Sequence, residues 1–323
     1  MRDWKKIRYR LELLALEILA AAIPLLPRRA CVRLGEWLGE LAYRVDARGR
    51  RVALENIECA LGAEYTPAQR AEIARASYRN FVRTMLDLFW AQNLTAENYR
   101  DYIRVEGFEA LRERHARSPG GSIFLCVHQG NFEWASLACG FEGFGNCVVA
   151  ENFKNALLSD VFNRLREVSG QKIIPQENSM LRLLKTVKRG GATGMLIDLN
   201  LRPTQAATII DGFELKMCVT FLHAVLAQRA GTLLIPVETE PLADGSCRVI
   251  AHPPVEWPAG ATPQEIAQRC WDFFEPILRA NPGGWLWPYK HFRYRPKDAA
   301  RPYPFYANES AKFEKLRAAL AEE

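Results

Sequence analysis

The chain has no Cys-x-x-Cys pair among its eight cysteines, no Gly-x-Ser-x-Gly turn, no internal repeat and no low-complexity tract or long linker. Each absence removes a class of reading. Scattered thiols in apolar settings such as "FLCVH" and "SLACG" point to free, mostly buried cysteines in a reducing compartment, not to a disulfide frame or a zinc site. Without a nucleophile elbow the chain supplies no covalent serine of the hydrolase kind. The apolar run "LELLALEILAAAIPLLP" (11–27) does not read as a secretory leader, because Glu12 and Glu17 interrupt it where such a leader has a charge-free core, and it is expected to be retained. That run falls short of the roughly 20 apolar residues a bilayer span requires.

What the sequence does have is apolar bulk and a cationic balance. Its 323 residues are 49% hydrophobic and 25% charged, enough to bury a large core and too apolar for disorder. The net charge of +6 suits an anionic partner such as phosphate, nucleic acid or an acidic membrane surface. No recognised nucleic-acid motif is present, and the basic residues cluster beside apolar segments. Arg2, Lys5, Lys6, Arg8 and Arg10 precede the apolar run; Arg28, Arg29 and Arg33 follow it. Residues 1–27 therefore read as a membrane-associating helix lying in the interface, ahead of an ordinary core helix or a true span. Residues 28–323 read as one domain, helical over 28–100 and α/β over 101–300.

Apolar positions at three- and four-residue spacing predict helices in "CVRLGEWLGELAYRV" and "AQRAEIARASYRNFVRTMLDLFW", the second opened by Thr66 as N-cap and Pro67 in the first turn. After Asp101 short β-type runs ("SIFLCV", "NCVVA", "KIIP", "GMLID", "TLLIPVE", "CRVIAH") alternate with helical stretches near 131–142, 155–169, 178–189 and 218–230. Continuous apolar strands between helices imply a mixed, mainly parallel sheet flanked by helices. Thr262 to Glu265 forms a capping box for a further helix reaching about Ala280.

His128 sits where "SIFLCV" gives way to "GNFEWASLACGF", a helix that Asn131 can cap. Open α/β sheets gather ligands at such strand ends. Residues five apart on one helix point about 140° away from each other, so His128 and Glu133 can meet only if the histidine precedes the helix and the glutamate lies in its first turn. Such a pair suits general-base catalysis, with the carboxylate fixing the tautomer and the deprotonated hydroxyl belonging to a bound substrate. A histidine merely satisfied at a strand end has the same spacing. His115, His223, His252 and His291 lack it and read as structural or surface residues.

The segment "CVHQGNFEWA" resembles the His-x4-acid motif of the glycerolipid acyltransferase superfamily, and within it the late acyltransferases of lipid A biosynthesis. "RRVALENIECALG" near Arg50, "FNRLREVSGQKII", "GMLIDLN" and "WPYKHFRYRP" are similar to further elements of that family in order and spacing, over roughly residues 45 to 296. The resemblance implies a glycerolipid acyltransferase-like fold. It also implies transfer of a fatty acyl chain from an acyl carrier protein or CoA thioester, as co-substrate, to a hydroxyl of an anionic glycolipid at the cytoplasmic face of the inner membrane. Neither metal nor other cofactor is implied.

By the same resemblance His128 is the general base and Glu133 its orienting carboxylate. Arg164 or Arg166, with Arg166 preferred for its spacing to Gly170, would offer a cation to the developing oxyanion or a lipid phosphate, unless both simply line a solvated helix face. Asp198 would hold an active-site cation or turn, or cap a strand. Lys290, Arg293 and Arg295 would grip phosphate or an acidic helix of the carrier, or form a plain basic surface. Asn200 replaces the second acid of the family's Asp-x-Asp element, which opens the acceptor to other polar lipids such as a phosphatidylinositol mannoside or a lysophospholipid. A non-catalytic lipid-binding relative is the remaining alternative.

Overall fold

The computed structural model describes residues 2–150, 154–175, 179–203 and 206–322. Four helices open the chain: α1 (Arg2–Ala22), α2 (Arg28–Val45), α3 (Ala47–Leu61) and α4 (Pro67–Trp90). The α/β part then runs β1 (Ile103–Glu106), α5 (Phe108–Arg117), β2 (Ser122–Cys126), α6 (Phe132–Phe141), β3 (Asn146–Ala150), α7 (Ala156–Arg166), β4 (Lys172–Pro175), α8 (Ser179–Lys188) and β5 (Ala192–Leu196). A hairpin, β6 (Ala207–Gly212) and β7 (Leu215–Thr220), precedes α9 (Leu222–Ala230), β8 (Leu233–Pro241), β9 (Cys247–Ala251) and α10 (Pro263–Ala280); α11 (Ala311–Glu322) ends the described chain.

The fold is α/β, as expected from the strand pattern. Seven strands lie in the order β1-β9-β8-β2-β5-β3-β4, every pair parallel except β8 with β9. The chain crosses the sheet one way through α6 and α7 and back through α8 and α9, so the right-handed crossover rule sets the two helix pairs on opposite faces. The core divides accordingly. Phe124 of β2 faces Trp134, Leu137 and Leu165 of α6 and α7, whereas its neighbours Ile123 and Leu125 belong with Leu183, Val187, Leu226 and Phe274 on the other side. With helices over both faces a central strand such as β2 carries apolar residues at successive positions, which is why it reads as a continuous run.

Local signals place several boundaries. Thr66 and Thr262 both form capping boxes, with Gln69 and Glu265, and each is followed by proline in the first turn. One expectation fails: the helix foreseen over 218–230 begins only at Leu222, because Cys218 to Thr220 complete β7. The pairing of β6 with β7 fixes these residues, and a short apolar run does not distinguish strand from helix by periodicity. Residue 178, the expected start of another helix, lies outside the described residues. All eight cysteines are free thiols, seven of them buried.

The helical front clamps the sheet. Helices α2 and α4 approach closely at Gly35 and Gly39, where a β-carbon on Gly39 would overlap the backbone of Arg79. Helix α1 lies along α7, with Asn155 bonded to the Tyr9 carbonyl and to Glu12, each at 3.0 Å, and Arg164 to Glu17 at 2.9 Å. The two glutamates that interrupt the apolar run therefore turn toward the domain. On the other side Trp4, Ile7, Leu11, Leu14 and Ile18 form an exposed stripe at helical spacing, Trp4 at 70% exposure. No described helix is long and apolar enough to cross a membrane.

Two outcomes are expected. Gly39→Val should lower stability by about 1–3 kcal/mol in chemical denaturation, because α2 and α4 cannot separate without losing their packing. His223 is buried with both ring nitrogens unpartnered, and burial pushes it and His291 down to about 4 from 6.5. The unfolded chain accepts protons that these folded rings refuse, so stability should fall as pH drops from 6.5 toward 4, and His223→Leu should flatten that limb of a pH series of denaturation midpoints.

Candidate active site

The residues of interest meet at the carboxyl ends of β2 and β5. Adjacent parallel strands end side by side, so the turn after Cys126 and the turn after Leu196 bring His128 against Asp198. Asp198 is fully buried and accepts three hydrogen bonds: from the His128 ring at Nδ1 (2.7 Å), from the His128 backbone N–H (2.8 Å) and from the Trp285 indole N–H (2.8 Å). Burial alone would raise its pKa. The charge of His128 and its hydrogen bonds, with a further contribution from His291, overcome that and hold the carboxyl down at about 2. An ionised Asp198 has no proton to give, so His128 Nδ1 must be the donor, and a neutral ring leaves Nε2 bare as an acceptor. Nε2 has no partner among the described residues, and the side chain is 10% exposed. Such a nitrogen is placed to take a proton from an incoming hydroxyl.

This corrects the sequence expectation that Glu133 orients the ring. Glu133 does lie in the first turn of α6, as the spacing requires, but Arg166 at the end of α7 takes its carboxylate in a two-pronged pair at 2.9 and 2.6 Å. A rigid guanidinium fork matches both carboxylate oxygens, so the pair is geometrically locked. Arg166 is thus brought into the site through Glu133, whereas Arg164 points away to Glu17 on α1. Asp198, expected to hold a cation or a turn, is instead the partner of the imidazole. Its position at the end of the strand adjoining β2 was the available signal, but strand order is invisible in one sequence.

The turn carrying His128 is held from four directions. Gly130 takes a positive φ of 56°, and a β-carbon there would collide with Thr239 on β8. Its carbonyl accepts from Asn80 (3.0 Å) and Thr84 (2.9 Å) of α4, and Gln129 O accepts from Thr239. The segment 284–286 pairs with it through Gly130 N to Gly284 O (3.1 Å) and Leu286 N to His128 O (3.1 Å). Asn131 caps α6 by accepting from Trp134 N and donates to buried Asp87, which in turn pairs with Arg28 at the start of α2. Neither Asp87 nor Trp285 was singled out from the sequence, and Arg28 was read only as one of the cations flanking the N-terminal apolar run.

The C-terminal basic element closes the site from behind. Asn56, the asparagine of the "RRVALEN" stretch, donates to the carbonyls of Trp287 (2.8 Å) and Tyr289 (2.7 Å), joining two distant motifs. His291 stacks on Trp285 at 3.9 Å and lies against the Asp198 backbone, so a histidine read as structural supports the dyad directly. Tyr289 donates to Asn200 O, and Asn200 donates to His291 O. Lys290 lies over the Tyr306 ring and Arg293 over Tyr289; neither has an ion-pair partner among the described residues, whereas Arg295 is taken by Glu309.

A family model for bacterial lipid A biosynthesis acyltransferases matches residues 3–294. The chain belongs to that family. The match begins inside α1 and runs into the basic element as far as Tyr294, so it takes in the N-terminal helix as well as nearly all of the stretch from which the resemblance was read. No curated protein matches the chain. Membership in the lipid A acyltransferases implies an enzyme that moves an acyl group between a donor and a lipid acceptor.

One measurement separates the two carboxylates. Histidine ¹⁵N shifts should report a protonated Nδ1 on His128 in the native chain and in Glu133→Gln. In Asp198→Asn that signature should disappear, because all three groups facing Asp198 are donors and an amide offers only one acceptor oxygen.

Proposed function

We propose that this acyltransferase moves a fatty acyl chain from an acyl carrier protein or CoA thioester to a hydroxyl of a lipid A precursor, with His128 as general base. The observation that carries the reading is the His128–Asp198 pair, with a bare Nε2 at a strand-end turn. Nε2 removes the proton as the acceptor oxygen attacks the thioester carbonyl. The tetrahedral intermediate collapses with loss of the thiolate, which recovers the proton from the imidazolium. Asp198 fixes the tautomer and stabilises that transient cation. No nucleophile from the chain and no other cofactor enters the scheme.

The Glu133–Arg166 pair leaves one guanidinium nitrogen without a bond to Glu133, a preorganised positive charge beside the helix terminus that carries the motif. Lys290 and Arg293, without ion-pair partners among the described residues, are the candidates for the anionic groups of the acceptor. The exposed stripe of α1, with Lys5, Arg8 and Arg10 on the same helix, suits an interfacial helix on the cytoplasmic leaflet of the inner membrane, from which a lipid acceptor would arrive.

The test is mass spectrometry of lipids after incubation of the full chain with carrier-protein thioesters or acyl-CoA and a panel that includes a tetraacylated lipid A precursor. One acyl mass should be added to the precursor and lost in His128→Ala. Addition to a lysophospholipid or a phosphatidylinositol mannoside instead would move the acceptor, and no His128-dependent product from any donor would sink the enzymatic reading.

A further inference from the structure

Helix α8 presents a face that nothing in the described structure covers. Arg182 and Lys185 lie about 60° apart at 100° per residue, Leu181 and Lys188 lie along one edge of them, and Arg189 follows in the turn after the helix. All five are exposed, Leu181 at 65%, and Met180 in the first turn is exposed too. The opposite side of the helix anchors it, with Leu183 and Val187 fully buried in the core against α9. The helix holds no acidic residue, and among the described residues none of the four cations has a carboxylate partner. Among the other exposed cations Arg164 is engaged by Glu17 and Arg295 by Glu309, whereas Arg293 at the basic element shares with α8 the lack of an ion-pair partner among the described residues.

Position makes this face useful. Helix α8 starts after the carboxyl end of β4, so Met180, Leu181 and Arg182 stand at the end of the sheet where His128 and Asp198 meet, and Arg189 lies toward the far end. The sheet separates it from α1, which packs on α7 over the opposite face. If α1 rests on the membrane, α8 is not on the side that faces it.

We propose that α8 is the docking surface for the acyl donor's protein: a small acidic carrier whose helix meets Arg182 and Lys185, with Arg189 in the turn that follows the helix, while Leu181 covers its apolar contact. This rests on the thioester-dependent reading above and selects the carrier protein over free CoA. Charge complementarity carries the choice. A row of cations on one helix matches a row of carboxylates on another, speeds encounter and makes it salt-sensitive. A bilayer would need apolar side chains along the whole face, and here they occur only in its first turn.

The experiment measures binding of the full chain to an acyl carrier protein bearing a non-transferable acyl amide, by fluorescence anisotropy at low and high salt. The native chain should bind, and the triple variant Arg182→Glu, Lys185→Glu, Arg189→Glu should bind at least roughly tenfold more weakly, with an unchanged circular dichroism spectrum and a flattened salt dependence. Equal affinity in the variant, or no binding by the native chain, overturns the proposal. So does loss of sedimentation with anionic vesicles in the variant while carrier affinity persists, since the face then meets lipid. Failure of the enzymatic reading is distinguishable: carrier binding that depends on α8 without acyl transfer to any lipid leaves the docking surface standing. Transfer from carrier and from CoA that the variant performs equally removes the docking surface alone.

Discussion

Asp198 is the constraint on which the site depends. It is a carboxylate sealed from solvent whose three donors come from two places distant in the chain: the ring and backbone of His128 after β2, and the indole of Trp285 beyond α10. A buried charge without partners costs several kcal/mol, so the arrangement is stable only with all donors present. The aromatic wall of Trp285, Trp287, Phe213 and His291 fills the space behind it, and Asn56 and Ser77 tie that wall to the helical front. The candidate site and the core share the same contacts here. Moving Trp285 would loosen the core and release the imidazole together.

A second buried ionic group steadies the other half of the motif. Arg28 pairs with Asp87, donates to the Gly245 carbonyl at 2.7 Å and lies over the rings of Trp134 and Trp90. Asp87 holds Asn131, and Asn131 caps the helix that presents Glu133. Arg28 follows α1 after a single turn, so the segment bearing the exposed apolar stripe is joined to the turn that carries His128 by three polar contacts. The two ends of the motif are thereby held separately: the histidine by β5 and the segment around Trp285, the glutamate by α4, α2 and Arg166.

Much of the architecture could be read directly from residues. Continuous apolar runs gave six strands of the sheet, and capping boxes at Thr66 and Thr262 gave helix starts, because these signals act within a few residues. The hairpin of β6 and β7 was not legible. Its turn residues Phe213 and Glu214 adopt positive φ without being glycine, asparagine or aspartate, and Phe213 is kept there by Trp271, Trp285 and a bond from its N–H to Glu275. Tertiary packing overrode the local preference. The short edge strand β1 and the helix α11 also went unread.

Sequence by itself determined the chemistry on offer: an imidazole at the exit of a buried strand, a capped helix after it, an acid in that helix's first turn and basic residues interleaved with aromatics far downstream. Local spacing encodes these because strand, turn and cap are decided by neighbours. Which carboxylate serves the imidazole was decided only in the folded chain. Glu133 is five residues away and Asp198 seventy, yet parallel pairing of β2 with β5 puts Asp198 beside the ring, while the crossover through α7 brings Arg166 to claim Glu133. Proximity along a chain sets which groups can share a helix turn; strand order in the sheet sets which of them touch.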